Sequence, residues 1–218
     1  MRCQLLFLLA VLSLALATDF PLNDLRFGKP GHNTECQGVQ LQMCTSRFTQ
    51  FIGYNTTNLW KEDPQLLLTF LQQKMAQDVG KADGLVTICN GLENLIDCLG
   101  PDNYKLCLRP PNMVKQGTTE EFNFRMVGTL DMFSFQCGAG FFTAVAEEFS
   151  CIQRIILHYS KTLDGCRQTY YRNLLENPEN NCQIIRDLGY CTINVFANAE
   201  CHVTQRGDLW WACEGQVA

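Results

Sequence analysis

The stretch that decides the fold is residues 137–166, CGAGFFTAVAEEFSCIQRIILHYSKTLDGC, where apolar side chains recur at every third or fourth position. The recurring positions are Phe142, Val145, Ala146, Phe149, Ile152, Ile156, Tyr159 and Leu163. This spacing places them on one side of a long helix, with polar residues such as Arg154 and His158 opposite. Cys151 lies at the border of the two sides, so a disulfide from it can hold the helix at its flank.

The same helical texture extends towards the N-terminus. A first helix after Cys36 has an apolar face that ends near Gly53 and consists of Val39, Met43, Cys44, Phe48, Phe51 and Ile52. Asp63-Pro64 is typical of a helix start, with the aspartate as the cap and the proline in the first turn. A third helix begins at Asp83 and ends at Gly100-Pro101, which interrupts the pattern.

The later segments continue the pattern with more punctuation. Residues 104–117 contain Arg109-Pro110-Pro111-Asn112 and predict a long crossing loop. Thr118 stands three residues before Glu121 and predicts a capping box for the next helix. A short helix is predicted over 166–175, and residues 191–196 suit either a helix or a strand. The sequence therefore predicts an all-α fold, a disulfide-braced helical bundle in a single domain.

The N-terminus has the features of a secretory signal peptide. Arg2 precedes an apolar run from Leu5 to Leu16, and residues 15–17 suit signal peptidase. The run is too short to be favoured as a membrane span. The expected organisation is a signal peptide at 1–17, an extended arm at 18–35, a cysteine-rich helical domain at 36–213 and a short tail at 214–218. The product is expected to be secreted and extracellular.

The cysteine count predicts a disulfide framework. The chain has 13 cysteines, and removal of Cys3 with the leader leaves 13 − 1 = 12. An even number in an oxidising compartment predicts complete pairing into six disulfides. The twelve are Cys36, Cys44, Cys89, Cys98, Cys107, Cys137, Cys151, Cys166, Cys182, Cys191, Cys201 and Cys213. Cys89 and Cys98 are about half a turn out of phase, so they are predicted to bond to different partners.

Charge and motifs argue against several classes of function. Without Arg2, 16 basic and 22 acidic residues give 16 − 22 = −6, and no basic cluster is present, which disfavours nucleic acid and anionic membranes. The sequence has no Gly-x-Ser-x-Gly, His-Glu-x-x-His, phosphate-binding glycine loop or calcium loop. His32, His158 and His202 are too few and too dispersed for a zinc site. We expect no catalysis, no metal and no cofactor.

Three features bear on function. Asn55-Thr56-Thr57 is an N-glycosylation sequon in a predicted surface loop, so Asn55 is expected to carry a glycan. Arg206, Gly207 and Asp208 form the tripeptide that integrin ligands present on a loop, which can also be an ordinary surface turn. Fourteen Phe and three Trp residues can fill a core or enclose a cavity, and Trp210-Trp211 can line its mouth or pack.

These features leave three hypotheses about function. The first is a non-catalytic binding protein for an unknown extracellular protein, and the second is a carrier of a small apolar, lipid-like ligand. The third is a cell-adhesion ligand that acts through Arg206 and Asp208.

The cysteine spacing on a helical background resembles a known family. The positions that carry the resemblance are Cys89 to Cys107, Phe135-Gln136-Cys137, Cys151, Cys166, Cys182, Cys191 and Cys201. The similarity is to the cysteine-rich secreted domain of unknown function that nematodes carry in many copies, and less closely to small haemolymph glycoproteins of insects. The resemblance implies an extracellular, all-helical, disulfide-bonded module without assigned activity or catalytic residues. The Arg-Gly-Asp loop and the Trp pair stand outside it.

Overall fold

Helices form the secondary structure of the part of the chain that the structure describes. The structure is a computed structural model, and it describes residues 35–56, 58–115, 117–147, 149–199 and 211–212. The helices are α1 (Gly38–Ile52), α2 (Pro64–Ala76), α3 (Asp83–Leu99), α4 (Pro101–Cys107), α5 (Pro110–Val114), α6 (Glu120–Cys137), α7 (Phe141–Glu147), α8 (Phe149–Glu176) and α9 (Asn181–Asn198). Short 3₁₀ helices occupy Leu59–Lys61 and Pro178–Asn180. The described residues contain no strand, and the predicted disulfide-braced all-α fold is confirmed.

Local signals fix several helix ends. The side chain of Asp63 accepts a hydrogen bond from the backbone N–H of Gln65 at 2.9 Å, which confirms the predicted start of α2. Gly53 ends α1 in the left-handed region at φ 78°. The predicted capping box at Thr118 is wrong by one residue, because Thr119 caps α6 by accepting from the N–H of Phe122. Thr118 instead donates to the carbonyl of Met113 at 2.7 Å.

The stretch that organises the sequence is helical on both sides of Glu148, which lies outside the described residues. In α7, Phe142 and Val145 are 77% and 38% exposed, so this part of the predicted apolar stripe is not buried. In α8, Phe149, Ile152, Ile156 and Leu163 are buried as predicted, whereas Tyr159 is exposed. The short helix predicted over 166–175 is the second half of α8, because no break interrupts it.

Two further segments, residues 104–117 and 191–196, contain helices in the structure. Residues 104–117 are not a long loop, because α4 extends to Cys107 and α5 occupies Pro110–Val114. Both helices begin with proline. Proline is tolerated there because the N–H groups of the first turn of a helix have no intrahelical partner. Residues 191–196 belong to α9, so the helical alternative is confirmed and the strand is wrong.

One apolar cluster connects the long helices. α3 packs against α1, α2 and α6, while α8 packs against α2 and α9. At the α1–α3 crossing, a Cβ on Gly91 would lie 2.7 Å from Cγ2 of Ile52, so only glycine allows this close approach. The described residues belong to a compact unit that begins at Glu35.

A buried glutamine holds the turn between α2 and α3. Gln153 of α8 is fully buried, and its amide nitrogen lies 2.9 Å from the carbonyl oxygens of Met75 and Asp78 and 3.1 Å from that of Lys81. Its carbonyl oxygen accepts the N–H of Gly80 at 2.6 Å. One side chain thus satisfies backbone groups that a turn against the core leaves without helical partners.

The disulfides connect helices that are distant in sequence. The described bridges are Cys36–Cys107, Cys44–Cys98, Cys89–Cys137 and Cys166–Cys191. Cys89 and Cys98 bond to different partners, as predicted. Cys151 is also disulfide-bonded, and its partner is not among the described residues.

Complete pairing of the cysteines does not extend to Cys182. This residue lies in the first turn of α9 and is exposed with a free thiol. Every other cysteine in the described ranges is already in a disulfide, so none of them is available to Cys182. Cys201 and Cys213 lie outside the described residues, so their pairing stays a prediction.

Candidate functional site

A cleft opens where three segments distant in sequence meet. These segments are the first turn of α1, the 3₁₀ helix Leu59–Lys61 and the connection between α5 and α6. The cleft has a volume of about 440 Å³, within the range of roughly 300–1,000 Å³ typical of small-molecule sites. Its described lining consists of Gly38, Val39, Leu41, Gln42, Asn58, Trp60, Lys61, Met113, Gly117 and Thr118.

A disulfide next to the cleft ties the start of its α1 wall to the end of α4. Cys36 stands two residues before α1 and bonds to Cys107 at the end of α4, with their Cα atoms 4.7 Å apart. The chain then turns through Asn112, whose side-chain amide donates to the carbonyl of Leu106 at 2.8 Å. The first turn of α1 and the α4–α5 segment are therefore held together covalently before any ligand binds.

The third wall is fixed by hydrogen bonds within its own turn. The side chain of Asn58 accepts from the backbone N–H of Trp60 at 3.0 Å and so caps the 3₁₀ helix. The hydroxyl of Thr56 donates to Oε1 of Glu62 at 2.7 Å and closes the loop around this turn. Trp60 and Lys61 are thereby held at the edge of the cleft.

The lining combines an apolar interior with polar side chains. Leu41 and Met113 are buried, whereas Val39 is 86% exposed. Gln42, Asn58 and Thr118 supply amide and hydroxyl groups. This combination suits a molecule that has an apolar body and a few hydrogen-bonding atoms.

The charge of the described lining is positive. Lys61 is its single ionisable residue, and none of the described lining residues has a carboxylate. The two acidic residues that follow Lys61 have other partners: Glu62 accepts from Thr56, and Asp63 caps α2. Lys61 therefore gives the described lining a cationic group on a chain whose formal net charge is −5.

Trp60 lines the cleft, but its indole N–H is not available to a ligand there. Nε1 is shielded from solvent and has no hydrogen-bond partner among the described residues. An unpaired buried donor costs about 1–3 kcal/mol. Sequence reasoning missed Trp60 because no motif marks it, and the only local sign was the turn chemistry of residues 55–58 before it.

A second polar cluster lies between α6 and α8. Arg167 is buried and pairs with Asp164, and the Arg125 guanidinium lies 5.6 Å from the centre of the Tyr171 ring. Burial lowers the pKa of Arg167 and raises that of Tyr171. Arg125 also pairs with Glu121 at 3.5 Å. Each ion pair lies within a single helix, and the contact of Arg125 with the Tyr171 ring joins α6 to α8.

The other candidate residues that the structure describes do not line the cleft. Asn55 is exposed in the loop after α1, as a glycan acceptor requires, and His158 is exposed on α8. Trp211 is buried with its ring centre 6.1 Å from that of Phe196, which fits the packing alternative. Arg206, Gly207 and Asp208 lie outside the described residues, as do Trp210, the predicted signal peptide at 1–17, residues 18–34 of the arm and the tail at 214–218.

In the described ranges, no group of three or more His, Cys, Asp or Glu residues could hold a metal ion. The described helices include none with the length and apolar character needed to cross a membrane. No protein-family model, curated protein or solved structure matches this chain.

Proposed function

We propose that this chain is a secreted, non-catalytic binding protein whose ligand occupies the cleft. The observation that carries the proposal is the cleft itself, whose α1 wall is tethered through Cys36–Cys107 to α4, the helix that precedes the α5–α6 wall. A site held open by a covalent link loses little conformational freedom when a ligand binds, so more of the contact energy appears as affinity. A small apolar molecule suits the size and the buried apolar interior of the cleft better than a protein partner does.

Secretion is part of this proposal. The disulfides suit an oxidising compartment, and the N-terminal sequence has the pattern of a secretory leader. The resemblance to the nematode-type cysteine-rich secreted domain belongs to the same proposal. The leader and disulfides on one side, and the resemblance on the other, imply an extracellular domain whose fold is stabilised by disulfides.

A binding role is favoured over turnover by the chemistry of the cleft. General acid–base catalysis uses groups that donate and accept protons at the operating pH. Lys61 is the single ionisable side chain in the described lining, and its neighbours there are amides, a hydroxyl and apolar groups. Such a set is suited to recognition.

Glycosylation at Asn55 is a further part of the proposal. The residue is exposed in a loop and begins the Asn-x-Thr sequon. Protein secreted from eukaryotic cells should lose mass on treatment with an N-glycosidase. The Asn55→Gln variant should have the lower mass without treatment, and identical masses for the two proteins would contradict the glycan.

The binding site is tested by filling it. Gln42 lines the cleft and is exposed on α1, and Gln50 is exposed on the same helix two turns later but does not line the cleft. We expect native mass spectrometry with 1-octanol as a neutral probe to detect binding by the wild type and Gln50→Trp. Gln42→Trp should bind much less because the indole occupies the cleft. Equal binding by the two variants would place the ligand elsewhere, and no binding by the wild type would oppose a small apolar ligand.

Adhesion through Arg206 and Asp208 stays a prediction, because these residues lie outside the described part of the chain. It is tested by cell attachment to an Asp208→Glu variant. Attachment equal to that of the original protein would oppose it.

A further inference from the structure

The cleft has a charge preference that the proposed function leaves open. Lys61 supplies a cation to its described lining, and the lining supplies no carboxylate. A ligand with a positive group would meet Lys61 without a compensating anion, whereas a negative group would be attracted to it. The two neighbouring carboxylates are not part of the described lining, since Glu62 accepts from Thr56 and Asp63 caps α2.

The first turn of α1 adds donors to the same place. Gly38 and Val39 line the cleft and are the first residues of this 15-residue helix. The N-cap residue Gln37 makes no side-chain hydrogen bond to the turn, and the turn contains no acidic residue. The N-terminal amides of a helix carry partial positive charge, and they favour an anion when no side chain caps them. This contribution has the same sign as that of Lys61.

The buried part of the lining favours an apolar group instead of a charged one. Leu41 and Met113 are 1% and 2% exposed and contribute apolar surface to the lining. Burial of a charged group against such surface without a partner is unfavourable, whereas an alkyl chain or ring gains from it. The lining therefore distinguishes the two ends of a ligand.

We propose that the cleft binds an organic anion with an apolar body, such as a medium-chain aliphatic carboxylate. Its carboxylate lies near Lys61 and the first turn of α1, and its apolar body lies against Leu41 and Met113. This inference rests on the proposed function, since it names the class of ligand for the same cleft.

A matched ligand series tests the inference on the full-length secreted protein. Octanoate, 1-octanol and octylammonium have the same chain and differ in head group. Isothermal titration calorimetry should give octanoate the lowest Kd, about tenfold below that of octanol, with octylammonium weakest. Octanoate affinity should also fall as salt concentration rises, because the charge interaction is screened.

The Lys61→Met variant isolates the cation, since methionine keeps much of the apolar stem. We expect the octanoate Kd to rise about fivefold, while the octanol Kd stays unchanged. The control is Lys161→Met, a change at an exposed lysine of α8 away from the cleft, which should leave both values unchanged.

The possible failures are distinguishable. Octanol binding as tightly as octanoate, or octylammonium binding most tightly, would overturn the anion inference and leave the cleft as an apolar site. An octanoate preference that Lys61→Met retains would also overturn it. Failure of all three probes to bind would overturn the proposed function together with the inference.

Discussion

The part of the molecule around the cleft and the α8–α9 pair are cross-linked in different ways. Bridges around α1, α3, α4 and α6 span 71, 54 and 48 residues. Cys166–Cys191 spans 25 residues and joins consecutive long helices that already pack closely together. The cleft walls are segments that the chain alone would not keep adjacent, whereas α8 and α9 are neighbours through a short connection. Of the described bridges, Cys36–Cys107 is the one next to the proposed site, and it closes the longest loop.

The two regions also differ in how they treat polar groups. In α8, Gln153 satisfies the backbone of the α2–α3 turn from a fully buried position. At the cleft, the first turn of α1 has no side-chain cap. α9 also begins without a side-chain cap, and Thr192 Oγ1 within it is buried without a hydrogen-bond partner among the described residues, so the difference between the two regions lies in the Gln153 clamp.

Reduction of all the disulfides should have the largest effect. The chain-entropy model gives about 3.5–4.4 kcal/mol for each described bridge, and their sum exceeds the net stability of a typical domain. We expect far-UV circular dichroism to show loss of the cooperative thermal transition after reduction and alkylation. Denaturant unfolding of the oxidised protein is the reference, and a reduced protein that melts cooperatively at the same temperature would contradict this expectation.

Removal of single bridges separates the two regions. Cys36→Ser/Cys107→Ser should destabilise the fold by about 4.4 kcal/mol, and Cys166→Ser/Cys191→Ser by about 3.5 kcal/mol, because the first bridge closes a longer loop. Only the first pair should also weaken octanoate binding, since Cys36 anchors the start of α1, which lines the cleft. Urea denaturation and calorimetry measure the two effects. Equal loss of binding in both variants would mean that the bridge contributes only global stability.

Replacement of Gln153 tests the polar clamp. Gln153→Leu leaves the Gly80 N–H and several carbonyls of the α2–α3 turn without their partner, and we expect a loss of about 3 kcal/mol. Gln168→Leu, on an exposed position of the same helix, should change stability by less than about 0.5 kcal/mol. Octanoate affinity should be unchanged in both proteins. Similar denaturation midpoints for the two variants would show that the turn does not depend on this side chain.

The sequence predicted those parts of the fold that depend on neighbouring residues. The start of α2 follows from Asp63-Pro64, because both the cap and the proline act within one turn. The different partners of Cys89 and Cys98 follow from helical phase. On α1, however, Val39 and Met43 were assigned to the apolar face and are 86% and 47% exposed. Periodicity does not show which apolar positions another helix covers.

The cleft could not be predicted from the sequence for the same reason. Its lining comes from residues 38–42, 58–61 and 113–118, which only tertiary packing and the Cys36–Cys107 bridge bring together. Cysteine pairing itself cannot be derived from spacing alone. Val39, which periodicity wrongly assigns to the core, lies in this lining. An exposed apolar side chain is expected there if the cleft binds an apolar ligand.

The smallest expected effect concerns Asp131 of α6, away from the cleft lining. Burial raises the pKa of this carboxyl, so the folded state favours its neutral form and the carboxylate reduces stability at pH 7. This loss disappears as the pH falls below the ordinary value of the group, where folded and unfolded states are both protonated. Asp131→Asn should therefore raise Tm by about 2 °C at pH 7 and leave it unchanged near pH 3. Asp78→Asn, at an exposed turn, is the control, and an equal rise at both pH values for Asp131→Asn would trace the effect to packing instead of charge.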